Sequence, residues 1–335
     1  MPEAGETAGE AAKPRWSKPL EYWLARLLVR SMANVGRCTS PAGVRAIGRA
    51  LGDACWRGMP RYRKVAMANL RRAYGHEWDE TRIESCARAS FRHTGMTLAE
   101  FFLREPRITA EEIDREVRFE GQEHYDAAFA RGKGSLLVTA HYGNWEMMGP
   151  RLARAGYQVN AISRTADDPA LERMIESIRT RSGLKQIPRR QAAREGLGAL
   201  RRNEILAILL DQNTLEGGVF VPFFGYPAST ATGPAVFSLK TGAAIVPTFC
   251  IREPDGSHTM RAWEPILPQP TGNRSLDVYH LTAAITHVIE QQIREQPELW
   301  LWLHNRWKLQ PAEPEMAHWS PRHGFAERLS QERAC

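Results

Sequence analysis

The sequence is poor in cysteine, in lysine and in long apolar runs, and each shortage excludes something. Its 335 residues include five cysteines, Cys38, Cys55, Cys86, Cys250 and Cys335, with no CxxC pair among them. An odd, scattered set argues against a disulfide framework or a structural zinc site and for a reducing compartment. Seven of the 45 basic residues are lysine, leaving 38 arginines, and the formal net charge is +7. A guanidinium grips phosphate or carboxylate through two parallel hydrogen bonds, so this surplus suits an anionic partner; it equally fits a solvated, arginine-rich surface. No run of 18 or more residues is uninterruptedly apolar, so a membrane-spanning helix is not expected. The first fifteen residues lack the apolar centre of a secretory signal. At 43% apolar and 25% charged, composition is that of an ordinary globular protein, which excludes wholesale disorder and a fibrous fold.

Familiar catalytic signatures are missing too. There is no GxSxG elbow, no GxxxxGK[ST] phosphate loop and no HExxH metal motif, so covalent serine hydrolysis and P-loop chemistry have no support. The basic residues are spread along the chain rather than clustered with aromatics in a recognised module, and no nucleic-acid partner is expected.

What is present is helical spacing followed by strand–helix alternation. Apolar residues recur at three- and four-residue steps over 42–57, 62–74 and 79–103, punctuated by Pro41, Pro60 and Pro106. From Val117 onwards, short apolar runs at 135–140, 158–162, 205–210 and 244–251 alternate with helices near 122–131, 145–155, 169–182, 191–201 and 233–242. A final helix, about 278–296, precedes an aromatic-rich stretch at 299–309. This order predicts an α/β fold, a mainly parallel central sheet flanked by helices, with a helical N-terminal portion. The expected organisation is a flexible tail at 1–15, an amphipathic helix at 16–37, one domain over 38–310 and a polar tail at 311–335. In the amphipathic segment Leu20, Trp23, Leu24, Leu27, Leu28 and Val35 share helical spacing, while Glu21, Arg26 and Arg30 fall elsewhere. Such a helix lies in a membrane interface or packs on its own domain.

One stretch carries chemistry: Leu136-Leu-Val-Thr-Ala-His141-Tyr-Gly-Asn-Trp-Glu146. A buried strand ends near Ala140, Gly143 permits a tight turn, and Asn144 is a natural cap for a helix starting at Trp145. His141 is thereby placed at the carboxyl end of a parallel strand, where open α/β sheets hold their ligands. On one helix His141 and Glu146 would not face each other, but across a strand–turn–helix junction they can. The expected pair is a general base, His141, oriented by the Glu146 carboxylate; the alternative is a polar turn whose histidine merely caps a helix.

His141-x4-Glu146 within HYGNWE resembles the HX4D/E signature of lysophospholipid-type acyltransferases, and more closely the H-x-G-N-W-E of the lipid A biosynthesis (late) acyltransferase family. Further blocks resemble that family in order. They are Arg63, Asn69 and Leu70 in RYRKVAMANLRRAY, Phe119-Glu-Gly-Gln-Glu123, Asp211-Gln212, Val221-Pro-Phe-Phe-Gly225 and Leu301-Trp-Leu-His-Asn-Arg306-Trp-Lys308. Together they cover roughly residues 55 to 310.

The resemblance implies acyl transfer from acyl carrier protein or an acyl-CoA thioester to a hydroxyl of a glycolipid such as a lipid A precursor; the alternative is the same chemistry on a phosphatidylinositol mannoside, a glycerophospholipid or an amino-acid lipid. It implies no cofactor and no metal, and it places the enzyme against the cytoplasmic face of the bacterial inner membrane. His141 would take the hydroxyl proton as oxygen attacks the thioester carbonyl. Substrate contacts are expected from Gly143, Asn144, Arg164, Asp211, Phe223, Phe224 and Arg306. Arg164 would meet the oxyanion or an acceptor phosphate. Asp211, ending a buried strand, needs a partner, with Arg164 or another cleft arginine expected in that place. Phe223 and Phe224 would wall an acyl groove or simply be core. Arg306 and Lys308 would bind phosphate, or the tryptophans around them, Trp300, Trp302 and Trp307, would only pack. Glu100, on a long helix, reads as solvated. Read with an acyltransferase, helix 16–37 is expected in the membrane interface.

Overall fold

The computed structural model describes residues 39–311. The strands whose every residue is buried form the centre: β2 (Ser135–Thr139) and β8 (Ala244–Arg252). Continuous apolar runs of this kind belong to strands covered on both faces. Around them the described residues form a seven-stranded sheet ordered β1-β9-β8-β2-β5-β3-β4. Its other members are β1 (Val117–Glu120), β3 (Val159–Ser163), β4 (Leu184–Pro188), β5 (Ile205–Leu209) and β9 (His258–Ala262). Every neighbouring pair is parallel except β8 with β9. The α/β fold with a mainly parallel sheet and a helical N-terminal portion is therefore as expected.

Among the described residues the helical N-terminal portion opens with α1 (Pro41–Gly58), α2 (Pro60–Tyr74) and α3 (Glu80–Leu103). Ser40 and Asp79 cap α1 and α3 by accepting from Gly43 N–H and Arg82 N–H. The α1–α3 crossing is very close because glycines meet there: a Cβ on Gly95 would stand 2.2 Å from the Gly48 carbonyl oxygen. Then come α4 (Ala110–Glu116), α5 (Gln122–Ala130), α6 (Met148–Arg154), α7 (Pro169–Arg181), α8 (Ala192–Arg201), α9 (Gly233–Thr241) and α10 (Arg274–Glu295).

Side chains alternate across the sheet. Leu136 and Val138 join a core with Leu206, Phe223, Phe224, Trp300 and Trp302, whereas Leu137 joins Met147, Leu152, Val159 and Val246 on the other face.

Several strands lack the apolar runs that reveal the central ones. Four-residue β1, edge strand β4 with a single buried residue, and polar β9 (HTMRA) are examples. So is the hairpin of β6 (Gly218–Phe223) and β7 (Tyr226–Ala231). Its two-residue turn puts Phe224 at φ 51° and Gly225 at φ 76°, a conformation usually signalled by Asn-Gly. The Phe224 N–H is held there by Glu290 at 2.5 Å.

The expected helix at 16–37, the tail at 1–15 and nearly all of the tail at 311–335 lie outside the described residues. Among the described residues, no helix is long and apolar enough to cross a membrane.

Candidate active site

Register brings the site together. β2 and β5 are parallel neighbours with Thr139 opposite Leu209. Two residues further along each strand stand His141 and Asp211, on the same side of the sheet. The His141 Nδ1 lies 2.9 Å from Asp211 Oδ1, and the His141 backbone N–H donates to Asp211 Oδ2 at 2.8 Å. The Trp300 indole N–H donates to the same Oδ2 at 2.8 Å. Asp211 is buried, 4% exposed, and all three groups facing it are donors. An acceptor-only carboxylate in that position keeps the imidazole proton on Nδ1 and leaves Nε2 as the acceptor. Gln212 Nε2 lies 3.5 Å from His141 Nε2.

The charges shift accordingly. Burial alone would lower the His141 pKa, but the Asp211 charge and hydrogen bond outweigh it and hold the value above 6.5. Burial would raise the Asp211 pKa; attraction to His141 and hydrogen bonds from His141 and Trp300 win instead, bringing it down to about 2.

Glu146 is not the orienter of the imidazole. Its carboxylate is taken in a fork by Arg179 of α7, Nη2 to Oε1 at 2.7 Å and Nε to Oε2 at 3.0 Å, and it also accepts from the Trp145 indole at 3.2 Å. A short 3₁₀ turn, Trp145–Met147, carries Glu146 out of reach of Nδ1, which Asp211 already occupies. Glu146 adds only a lesser attraction on the imidazolium. Arg179 and buried Glu105 were not singled out by sequence: no local pattern marks an arginine thirty-three residues beyond the motif. Burial first, then Glu146 and Glu100, push the Glu105 carboxyl well above the usual carboxylate range.

His141, Trp145, Glu146 and Arg179 line a cavity of about 950 Å³. It follows the carboxyl rim of the sheet over β2, β5 and β3 and is walled mostly by apolar groups, among them Leu98, Phe101, Phe102, Met148, Val159, Ile162, Leu197 and Phe237. Exposed Arg164, Arg189 and Lys240 also line it. A large apolar cavity with few convergent polar groups is the usual form of a small-molecule or lipid site.

The chain matches the model of the bacterial lipid A biosynthesis acyltransferase family over residues 12–309. It belongs to that family. It is 31% identical over 206 residues to a phosphatidylinositol mannoside acyltransferase of Mycobacterium tuberculosis, an alignment covering 60% of this chain and 62% of that one. To the lipid A biosynthesis lauroyltransferase of Escherichia coli it is 29% identical over 310 residues, 89% of this chain and 96% of the relative. To the lipid A biosynthesis palmitoleoyltransferase of the same organism it is 27% identical over 271 residues, 79% and 85%.

Within this family member the other expected contacts fall in three places. Arg164 is at the cavity rim, but it pairs with Asp167 at 2.9 Å and not with Asp211. Arg164 and Asp211 both lie beyond the ends of their strands, β3 at Ser163 and β5 at Leu209. Gly143 and Asn144 do not line the cavity. Gly143 sits at φ 60°, where a Cβ would lie 1.8 Å from the Cys250 carbonyl oxygen. The Asn144 side chain caps no helix; its Nδ2 donates to Glu100 at 2.9 Å. Glu100 is itself buried, not solvated, in a fork with Arg252.

Phe223, Phe224 and Arg306 are core. The two rings pack against Trp300, Trp302 and Trp307. Arg306, 1% exposed, donates to the Ser229 carbonyl at 2.6 Å and to Thr230 Oγ1 at 2.5 Å. Burial brings its pKa down to about 10, and it does not line the cavity. Its neighbour His304 accepts the Asn213 N–H on Nε2 at 3.0 Å, tying the loop after Asp211 to the closing segment. Among the described residues, no group of three or more His, Cys, Asp or Glu could hold a metal ion.

Proposed function

We propose that the protein transfers a fatty acyl chain from the thioester of acyl carrier protein or CoA to a hydroxyl of a lipid A precursor, with His141 as general base. The observation that carries this reading is the buried Asp211–His141 pair, with His141 lining a mostly apolar cavity. Nε2 accepts the proton of the acceptor hydroxyl as the oxygen attacks the thioester carbonyl. The tetrahedral oxyanion collapses, the C–S bond breaks, and the imidazolium returns its proton to the departing thiolate. Asp211 stabilises the imidazolium between the two steps. Thioesters are activated acyl donors, so holding both substrates in line supplies much of the remaining rate.

Glu146 and Arg179 stand beside His141 as a fixed pair at the cavity wall and hold the reacting centre in place. The apolar walls suit an acyl chain. At the rim, Arg164, Arg189 and Lys240 suit an anionic headgroup or an acidic carrier. A mouth of this kind works at the surface of an anionic membrane, and we place the enzyme at the cytoplasmic face of the bacterial inner membrane, with the segment 16–37 in its interface.

The similarity to a phosphatidylinositol mannoside acyltransferase supports a second reading, the same chemistry on another acceptor. Mass spectrometry of lipids from cells with and without the gene separates the two. A lipid A species lighter by one acyl chain in the deletion supports the first; a mannoside or glycerolipid lighter by one chain supports the second. Unchanged acylation of every lipid class would contradict both.

A further inference from the structure

We infer that Glu100, with Thr97 and Arg252 beside it, is a positioning residue for acyl transfer: through Asn144 it sets where His141 and Glu146 stand. The inference rests on the acyltransferase reading above and concerns residues that do not line the cavity.

The turn at Gly143–Asn144 joins the two halves of the motif, and four of its polar groups are held from α3, from β8 and from Leu299. The Gly143 N–H donates to the Leu299 carbonyl at 3.0 Å, and the Asn144 N–H to the Cys250 carbonyl at 2.8 Å. The Gly143 carbonyl accepts from Thr97 Oγ1 at 3.2 Å. The Asn144 side chain donates to Glu100 Oε2 at 2.9 Å. Thr97 and Glu100 lie three residues apart on α3, so one face of that helix grips the turn twice. Glu100 is held in turn by Arg252 at the end of β8, Nη1 to Oε1 at 2.8 Å and Nη2 to Oε2 at 2.5 Å.

Stability alone is weak ground for this arrangement. Glu100 and Arg252 are 2% and 8% exposed, and desolvating a buried pair offsets much of its attraction. An apolar pair would not offer Asn144 a charged acceptor at a fixed point. Charge-assisted bonds of this kind are short and directional. The pair therefore acts as a strut. A shift of the turn would move His141 off the position that Asp211 holds and Glu146 off the Arg179 fork, and displacements near 1 Å at a reacting centre lower rates by up to about a hundredfold.

The test uses purified full-length enzyme with lauroyl-CoA and a detergent-dispersed lipid A precursor. Asn144→Ala removes the strut's far end but leaves Glu100 and Arg252 paired. Its kcat is expected to fall by about tenfold to a hundredfold, with KM for the thioester within about twofold and the fold intact by circular dichroism, although Tm drops. Glu100→Met combined with Arg252→Met should fold and show the same kcat loss, and the triple variant should lose no more than either. If the double variant fails to fold, Thr97→Val, which deletes the second grip on the turn, takes its place with a smaller kcat loss. Wild-type kcat in Asn144→Ala, a change in KM alone, or losses that multiply in the combined variant would overturn the strut. His141→Ala in the same assay keeps the two ideas apart: full activity there would remove the reading of the site itself, whereas an inactive His141→Ala beside a normal Asn144→Ala removes only the strut.

Discussion

Two aspartates stand at the same rim of the sheet, one strand apart, and their ion pairs differ in kind. Asp211, beyond β5, pairs with His141 at 2.9 Å, the two side chains 2% and 21% exposed. Asp167, beyond β3, pairs with Arg164 at the same 2.9 Å, with side chains 72% and 78% exposed. In water a pair of the second kind contributes about 0–1 kcal/mol and leaves both partners free to rotate. The first is largely shielded from water, and its carboxylate raises the imidazole pKa. Burial, not distance, separates the two pairs.

The contrast is sharpened most by His141→Ala, which removes the base. We expect kcat to fall roughly 10²–10⁴-fold while circular dichroism reports an intact fold; near-wild-type turnover would place the chemistry elsewhere. Asp211→Asn comes next. The asparagine amide would point a donor at one of three donors already there, so kcat should fall on the order of 10²-fold and stability by about 1–3 kcal/mol. The sign of the acid response follows from the same pair. With a pKa of about 2 instead of the ordinary 3.8, Asp211 contributes stability fully above pH 3.8 and loses it as pH falls towards 2. Chemical unfolding across that window should show the loss, and Asp211→Asn should abolish it.

Arg179→Met tests the intermediate case, since Arg179 and Glu146 are 21% and 12% exposed. Stranding Glu146 should cost about 2–4 kcal/mol, less than for a fully buried pair, and Glu146→Gln combined with it should recover part of that in a double-mutant cycle. The smallest effect belongs to the exposed pair. Arg164→Gln and Asp167→Asn should each change the unfolding free energy by about 0.5 kcal/mol or less, with no measurable coupling. A coupling as large as that of His141 with Asp211 would refute the distinction.

The sequence was legible wherever a signal was local. Continuous apolar runs disclosed β2, β3, β5 and β8, and the strand–turn–helix junction disclosed His141 and Glu146 as residues of one site. What it lacked was strand order. β5 lies between β2 and β3, so Asp211 has His141 on one side and the Arg164 strand on the other. Only the registers decide which side chain shares its face. Arg179 was hidden for the same reason, being brought in by a helix that returns over the sheet. Glu100 was misread because α3 is covered on several sides, with Phe91, Thr97 and Glu100 all buried, and a polar residue on such a helix looks solvated in one dimension. Arg306 reverses that error, since a guanidinium in an aromatic core resembles a phosphate ligand until its partners, Ser229 and Thr230, are seen.

The central claim, that Asp211 and not Glu146 makes His141 a base, is tested most directly by the pH dependence of kcat/KM in wild type, Asp211→Asn and Glu146→Gln. The neutral imidazole is the working form, so activity should rise with pH through an acid limb set by His141. That limb should lie above pH 6.5 in the wild type, because Asp211 raises the imidazole pKa. It should fall below 6.5 in Asp211→Asn, where burial is left without its counterweight, and move much less in Glu146→Gln. A wild-type limb at or below 6.5, or one that shifts with Glu146→Gln and stays put with Asp211→Asn, would contradict the account.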